Sequence, residues 1–185
     1  MIKILGSRGF IGSELLAYIE KIGYEVEGVT EDIRYKEKLS PHLKDSEFII
    51  NAVGETKEQQ NEELCHATNV LGTKNVVELC IEHDCKLIHL SSTARKTAYG
   101  RSKQESQKVV EEAKGLRAVI LRLCPIVKLD DPLMIWGKRY PIEELVKDIE
   151  FIIGTHNFKE VELIDYKDEK STDIYKSRTQ VFTRV

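Results

Sequence analysis

The sequence predicts a doubly wound parallel α/β domain, and three observations carry that prediction. An apolar, β-suited opening, Met1-Ile2-Lys3-Ile4-Leu5, runs straight into three evenly spaced glycines, Gly6, Gly9 and Gly12. Those glycines lead into a helical pattern of Ile11, Leu15, Leu16, Ile19 and Ile22. The run Phe48-Ile49-Ile50-Asn51-Ala52-Val53-Gly54 is almost unbroken in its hydrophobicity, as a central strand buried on both faces must be. Between and beyond these, short apolar runs alternate with helical stretches, the pattern of strands connected by crossover helices.

Length and charge bound the possibilities. A chain of 185 residues has room for one domain with an appendage. We read residues 1–165 as that domain, with 128–165 as its appendage, and 166–185 as a charged tail. Apolar residues make up 41% and charged residues 32% of the chain, with a net charge of -3, which gives no reason to expect nucleic acid or an anionic membrane as partner. No apolar run is long enough to span a bilayer, and the first residues lack a signal-peptide pattern, so a cytoplasmic protein is expected. Cys65, Cys80, Cys85 and Cys124 form no C-x-x-C pair and fall within apolar patterns. They are expected to be buried reduced thiols, with His66 an ordinary helix residue and no metal bound.

Glycines at a strand-to-helix junction have a mechanical use. They allow a tight turn, let backbone approach a pyrophosphate, and let helix pack close to strand, while the helix N-terminus turns free N–H groups toward the anion. The stretch from Gly6 through Ser7, Arg8, Gly9, Phe10 and Ile11 to Gly12 is therefore the candidate dinucleotide-binding turn. The second strand, Glu25 to Val29, ends at the uncharged Thr30, where an acid would select against a 2′-phosphate. Arg8 and Arg34 flank that point and suit bidentate contact with a phosphate, which favours NADP(H). Glu31 and Asp32 lie next door and suit a free ribose, which keeps NAD(H) as the alternative.

The chain then alternates. A linker with a short helical stretch, Tyr35 to Lys44, precedes the central strand, and Glu58 to His83 reads as one long helix despite Gly72. Asn69, polar among apolar neighbours, is expected to be buried and hydrogen-bonded to nearby backbone. The strand from Lys86 to Leu90 ends in Ser91-Ser92-Thr93, placing hydroxyls where ligands of open α/β sheets bind. Tyr99 and Lys103, one helical turn apart in the next helix, share a face. A nearby ammonium lowers the phenol from its ordinary value of about 10. Ser92 would then hold a substrate carbonyl or hydroxyl, Tyr99 transfer the proton, and Lys103 hold a ribose as well as supply charge.

In that order these motifs resemble the short-chain dehydrogenase/reductases of the extended or atypical kind, which include NAD-dependent epimerases and dehydratases. The resemblance runs from Met1 to about Val127. It rests on the glycine turn, the Asn51-Ala52 strand end, Asn69-Val70-Leu71-Gly72-Thr73, Ser91-Ser92, Tyr99 to Lys103, and Ile120 to Pro125. It implies a Rossmann-type sheet and a catalytic set of Asn69, Ser92, Tyr99 and Lys103. It also implies cofactor contacts from Asn51, Ala52 and Val53, from Lys103, and near Pro125. Arg8 is similar to its counterpart in the NADP-binding turn of GDP-fucose synthases, and Asn51 to Arg122 resembles the dTDP-4-dehydrorhamnose reductases. The short Thr93–Ala98 stretch is similar to the branch related to the accessory NAD(P)H-binding subunit of respiratory complex I, and Lys128 stands where the family usually has glycine. The resemblance implies that residues 128–165 are a vestigial substrate-cap region, a much reduced C-terminal cap on the Rossmann-type sheet.

Beyond Val127, Asp130-Asp131-Pro132 reads as the start of a loop. Tyr140 to Ile153 reads as a helix with Pro141 in its first turn and Gly154 after its end. Val161 to Ile164 reads as a strand, and Tyr166 to Val185 as a partly ordered tail or a homodimer contact. The sequence thus points to an NAD(P)-dependent oxidoreductase, or an epimerase or dehydratase, acting on a small carbonyl or hydroxyl compound such as a nucleotide sugar. The competing reading is a non-catalytic NAD(P)H-binding protein that senses redox state or scaffolds a partner.

Overall fold

The computed structural model describes residues 1–56, 58, 60–128, 140–155, 161–165 and 183–184. Strands β1 (Ile2–Leu5), β2 (Val26–Val29), β3 (Phe48–Asn51), β4 (Lys86–Ser92), β5 (Arg117–Leu123) and β8 (Val161–Asp165) line up in the order β2-β1-β3-β4-β5-β8, all parallel. This is the Rossmann-type sheet expected. Residues 183–184 add a short antiparallel strand, β9, against Glu162 and Leu163 at the far edge. β6 (Ile126–Val127) and β7 (Tyr140–Pro141) pair separately, in parallel.

Helices cover both faces because the strands alternate apolar side chains to each. On one side Leu15 and Ile19 of α1 (Phe10–Lys21) and Leu145, Ile149, Ile152 and Ile153 of α6 (Ile142–Thr155) close over Ile4, Ile50, Ile88 and Val119. On the other, Leu39 and Leu43 of α2 (Lys36–Leu43), Val76 and Leu79 of α4 (Gly72–Glu82) and Val110 of α5 (Ala98–Glu111) cover Leu5, Ile49, Leu87 and Ile120. Central strands enclosed in this way leave their C-terminal ends as the open surface. The order reverses between β1 and β3, and ligands of such sheets sit outside the strand ends at that point.

Three boundaries differ from the sequence reading, each for a local reason. The long helix begins at Glu62, where the Asn61 side chain accepts the Leu64 N–H at 3.0 Å and Glu62 and Glu63 complement the helix dipole. It then widens into a π-helical turn over His66–Leu71 before α4, and that turn carries Asn69 inward to 1% exposure. Pro141 lies before α6 instead of within it, because Tyr140 and Pro141 are held as β7 and the Tyr140 N–H donates to the Pro125 carbonyl at 3.0 Å. α6 runs through Gly154 to Thr155. The segment Asp130 to Pro132, and the tail apart from 183–184, lie outside the described residues. Among the described residues no helix is long and apolar enough to cross a membrane.

Candidate functional site

The turn after β1 is built by contact between backbones. Gly6 has φ +74°, and a Cβ there would sit 3.1 Å from the Val53 nitrogen, while a Cβ on Gly12 would fall 2.2 Å from the Gly6 carbonyl oxygen. Only glycine at these two places lets α1 start directly against the ends of β1 and β3. α1 is capped by the extended backbone of Gly9 with no side-chain cap, and its first turn holds no acid. Its free N–H groups and dipole therefore face outward, where an anion is favoured. Buried Ser7 ties the turn to β2 by donating to the Val29 carbonyl at 3.3 Å.

A cavity of about 300 Å³ opens over this turn. It collects Gly6, Ser7, Arg8, Gly9, Thr30, Arg34 and Val53 from the residues expected at a cofactor site, with Glu31 and Asp32. Phe10, Ile11, Gly12, Asn51, Ala52, Lys103 and Pro125 do not line it, and neither do Asn69, Ser92 and Tyr99. Gly12 and Asn51 are buried beneath it, and Phe10 is exposed. At the rim, Asp32 grips Arg34: the Arg34 Nε donates to the two carboxylate oxygens at 3.0 and 2.9 Å, and its backbone N–H donates at 3.0 Å. The Arg34 hydrogen bond holds the Asp32 carboxyl below its usual value and raises the guanidinium in turn. Of the two arginines expected near a 2′-phosphate, one is thus already engaged by a carboxylate, and the exposed Arg8 is the other.

Behind the wall residues Val53 and Gly54, α5 brings the candidate catalytic side chains together. Thr97 caps the helix by accepting the Gly100 N–H at 3.0 Å. Tyr99 lies over Gly54, where a Cβ would touch its ring at 3.5 Å and its hydroxyl at 3.9 Å. The Asn69 carbonyl oxygen accepts the Glu55 N–H at 2.9 Å and its amide donates to Ser102 Oγ at 2.8 Å, which donates to the Tyr99 carbonyl at 2.8 Å. Buried Asn69 therefore meets backbone as expected and steadies the turn of α5 that carries Tyr99. Ser92 Oγ accepts the Ala94 N–H at 3.1 Å, and Ser92 is near enough to the Tyr99 phenol to act on its acidity.

One electrostatic expectation is corrected. Burial pushes the Tyr99 phenol above its ordinary value, Ser92 works the other way, and Cys65 adds to the rise. Lys103 does not bring it down, because its ammonium points to the Val53 carbonyl at 3.3 Å. Burial brings that ammonium down to about 8.

The sequence profile of the NAD dependent epimerase/dehydratase family matches residues 2–127. The chain belongs to that family. Human (Homo sapiens) sterol-4-alpha-carboxylate 3-dehydrogenase, decarboxylating, is 26% identical over 105 residues, which cover 49% of this chain and only 28% of that protein. Among solved structures, dTDP-4-dehydrorhamnose reductase from Bacillus anthracis in complex with NADP superimposes with a TM-score of 0.75 at 18% identity, covering 88% of this chain and 73% of the other. UDP-N-acetylglucosamine 4-epimerase from Bacillus cereus gives 0.74 at 18%, covering 88% and 76%. These structures share the fold, and the resemblance drawn from the motifs holds at the level of the epimerase/dehydratase family.

Within this family member five cavity-lining residues carried no recognised site signal in the sequence: Ile33, Gly54, Glu55, Leu64 and Thr68. Leu64 and Thr68 share a helix face by their spacing, but an apolar residue and a threonine one turn apart resemble any helix flank. Ile33 is 2% exposed and packs where a Cβ on Gly72 would come within 2.6 Å, so the helix glycine and the cavity wall explain each other. Only a three-dimensional contact reveals that pair.

Proposed function

We propose that this chain is an NAD(P)-dependent oxidoreductase of the epimerase/dehydratase family acting on a small carbonyl or hydroxyl compound. The observation that supports it most is that Tyr99 and Asn69 approach Gly54 and Lys103 reaches the Val53 carbonyl, Gly54 and Val53 being part of the wall of the cavity that the glycine turn opens, with Ser92 beside Tyr99. The residues present fit a dinucleotide. Gly6 and Gly12 leave room for close backbone approach, the N-terminus of α1 receives the pyrophosphate, and Thr30 to Arg34 with Arg8 line the adenosine end. When bound, the nicotinamide supplies or accepts hydride.

The chain's own groups handle the proton. Burial keeps the Tyr99 phenol protonated at neutral pH, so its hydroxyl is a donor to a carbonyl oxygen, and Ser92 orients that oxygen from the strand end. Lys103, still cationic below pH about 8, uses one N–H on Val53 and keeps two for a ribose hydroxyl. Asn69 holds the Tyr99 turn in place. NADP(H) is favoured through Arg8, with Arg34 contributing as far as Asp32 releases it, and NAD(H) is the alternative. A nucleotide sugar suits the site, in keeping with the reductase and epimerase that share the fold. The second reading, a dinucleotide-binding module without turnover, is favoured by the abrupt Thr93–Thr97 connection between β4 and α5. Titration with NADPH and NADH, then a panel of ketones and nucleotide 4-keto sugars, separates the two. Dinucleotide binding with substrate-dependent oxidation of NADPH is expected of the enzyme, and binding alone of the module.

A further inference from the structure

We propose that His89, which lies outside the candidate catalytic set and does not line the cavity, is a positioning residue that fixes Lys103 against the Val53 loop through a closed, one-way ring of hydrogen bonds. The inference rests on the assignment above of Lys103 and the Val53 cavity to dinucleotide binding. Its starting point is Asn51. The Val53 N–H donates to Asn51 Oδ1 at 3.2 Å, which fixes the amide orientation and turns Nδ2 toward His89 Nδ1 at 3.4 Å. A donor facing Nδ1 requires that nitrogen to be bare, so the imidazole proton sits on Nε2 and is donated to Ser106 Oγ at 3.3 Å.

The Ser106 hydroxyl then donates to the Lys103 carbonyl at 2.9 Å, and Lys103 Nζ donates to the Val53 carbonyl at 3.3 Å, which closes the ring. Every member donates once and accepts once in the same sense: His89 to Ser106, to Lys103, to Val53, to Asn51, and back to His89. Asn51 and His89 are register partners on β3 and β4, while Ser106 follows Lys103 by one turn of α5. The ring therefore links two central strands, the catalytic helix and the cavity wall.

Asn51, His89 and Ser106 are 0% exposed and Lys103 2%, so water does not reach the His89, Ser106 and Asn51 bonds, and only the Val53 side of the ring, part of the cavity wall, is half-buried. Burial also keeps His89 neutral, far below its ordinary value. A protonated ring would set an N–H against the Asn51 amide and break the cycle. The Lys103 carbonyl lies inside α5, where the backbone N–H one turn on also serves it, so opening the ring at Ser106 leaves no orphaned backbone group and the fold survives while the lysine is held less firmly.

The test begins on the unsubstituted protein, with nitrogen-15 NMR of the histidine rings. His89 is expected to show a bare Nδ1, a protonated Nε2 and no titration between about pH 8 and pH 5. An Nδ1–H tautomer, or ordinary titration, overturns the ring. NADPH titrations of His89→Phe, Ser106→Ala and the double variant follow, with Thr73→Val as control, because Thr73 meets Asn51 at 3.5 Å outside the ring. Each single variant is expected to bind NADPH about tenfold more weakly and the double variant no more weakly than either, since opening one ring twice costs once. Thr73→Val should bind as the parent does. Parent-like affinity in the single variants, or losses that multiply in the double, overturns the proposal. If the parent itself binds no NADPH, the dinucleotide assignment fails, while the NMR result still decides the ring.

Discussion

Replacing Lys103 by methionine makes the cost of burying its ammonium measurable. The drop from an ordinary 10.5 to about 8 is caused by burial. It corresponds to about 3 kcal/mol between the two protonation states, at about 1.4 kcal/mol per pH unit. In the unfolded chain Lys103 keeps its proton to about pH 10, whereas in the folded protein it loses it near 8. Between those values the unfolded state binds more protons, so this group's contribution to stability rises with pH. Below pH 8 its full cost is present. Lys103→Met has no such cost at any pH, so the stability difference between parent and variant should move by about 3 kcal/mol in the parent's favour from pH 7 to pH 10.5 or so. The lost hydrogen bond to Val53 and any repacking add a constant to that difference and leave its slope alone. The Cys85 thiol, pushed up to about 11 by burial, and the raised Tyr99 phenol are present in both proteins, so their contributions cancel. Urea unfolding followed by circular dichroism at several pH values gives the curve. A difference that stays flat across pH would refute the buried-ammonium account.

Further predictions concern the cavity. Gly9→Val should leave the protein folded and reduce dinucleotide affinity by at least about a hundredfold, because a branched side chain would stand where backbone must approach the pyrophosphate; calorimetry showing parent affinity would remove the turn from the site. Asp32→Asn should free Arg34 and shift preference toward NADPH over NADH by about tenfold, the scale of one charge-assisted hydrogen bond. An unchanged ratio in paired titrations would mean that Arg34 does not reach the dinucleotide. Asn69→Ala should cost about 1–3 kcal/mol in thermal or urea unfolding, since it leaves the Glu55 N–H without its side-chain acceptor and Ser102 without its amide donor.

The fold was legible because its signals are local. The glycine turn after an apolar strand, the enclosed Phe48–Asn51 strand and the hydroxyl-ended β4 each specify their neighbours within a few residues. The shared face of Tyr99 and Lys103 was legible from one helical turn, and the burial of Asn69 from an asparagine among apolar residues that must find partners, while their grouping as a set came from the family resemblance. What stayed hidden depends on contacts distant in sequence. The π-helical turn that carries Asn69 inward has no compositional mark. The grip of Asp32 on Arg34 turns on side-chain geometry, and sequence adjacency suggested only two independent charges. The direction of the Lys103 ammonium could not be read either. Helical spacing put it beside the phenol, but the nearby Val53 carbonyl captures it and leaves Tyr99 governed by its own burial.

Parallel measurement of NADPH affinity and of NADPH oxidation across the carbonyl panel, in the parent and in Tyr99→Phe, tests the account most directly. Removing one oxygen leaves packing and binding in place, so the dissociation constant should stay within about twofold while turnover falls by roughly 10²–10⁴, the contribution of a well-placed acid–base group. A parent that binds NADPH yet oxidises none of it with any carbonyl, or a Tyr99→Phe variant that turns over as fast as the parent, would contradict the assignment of Tyr99 as the proton-transfer group.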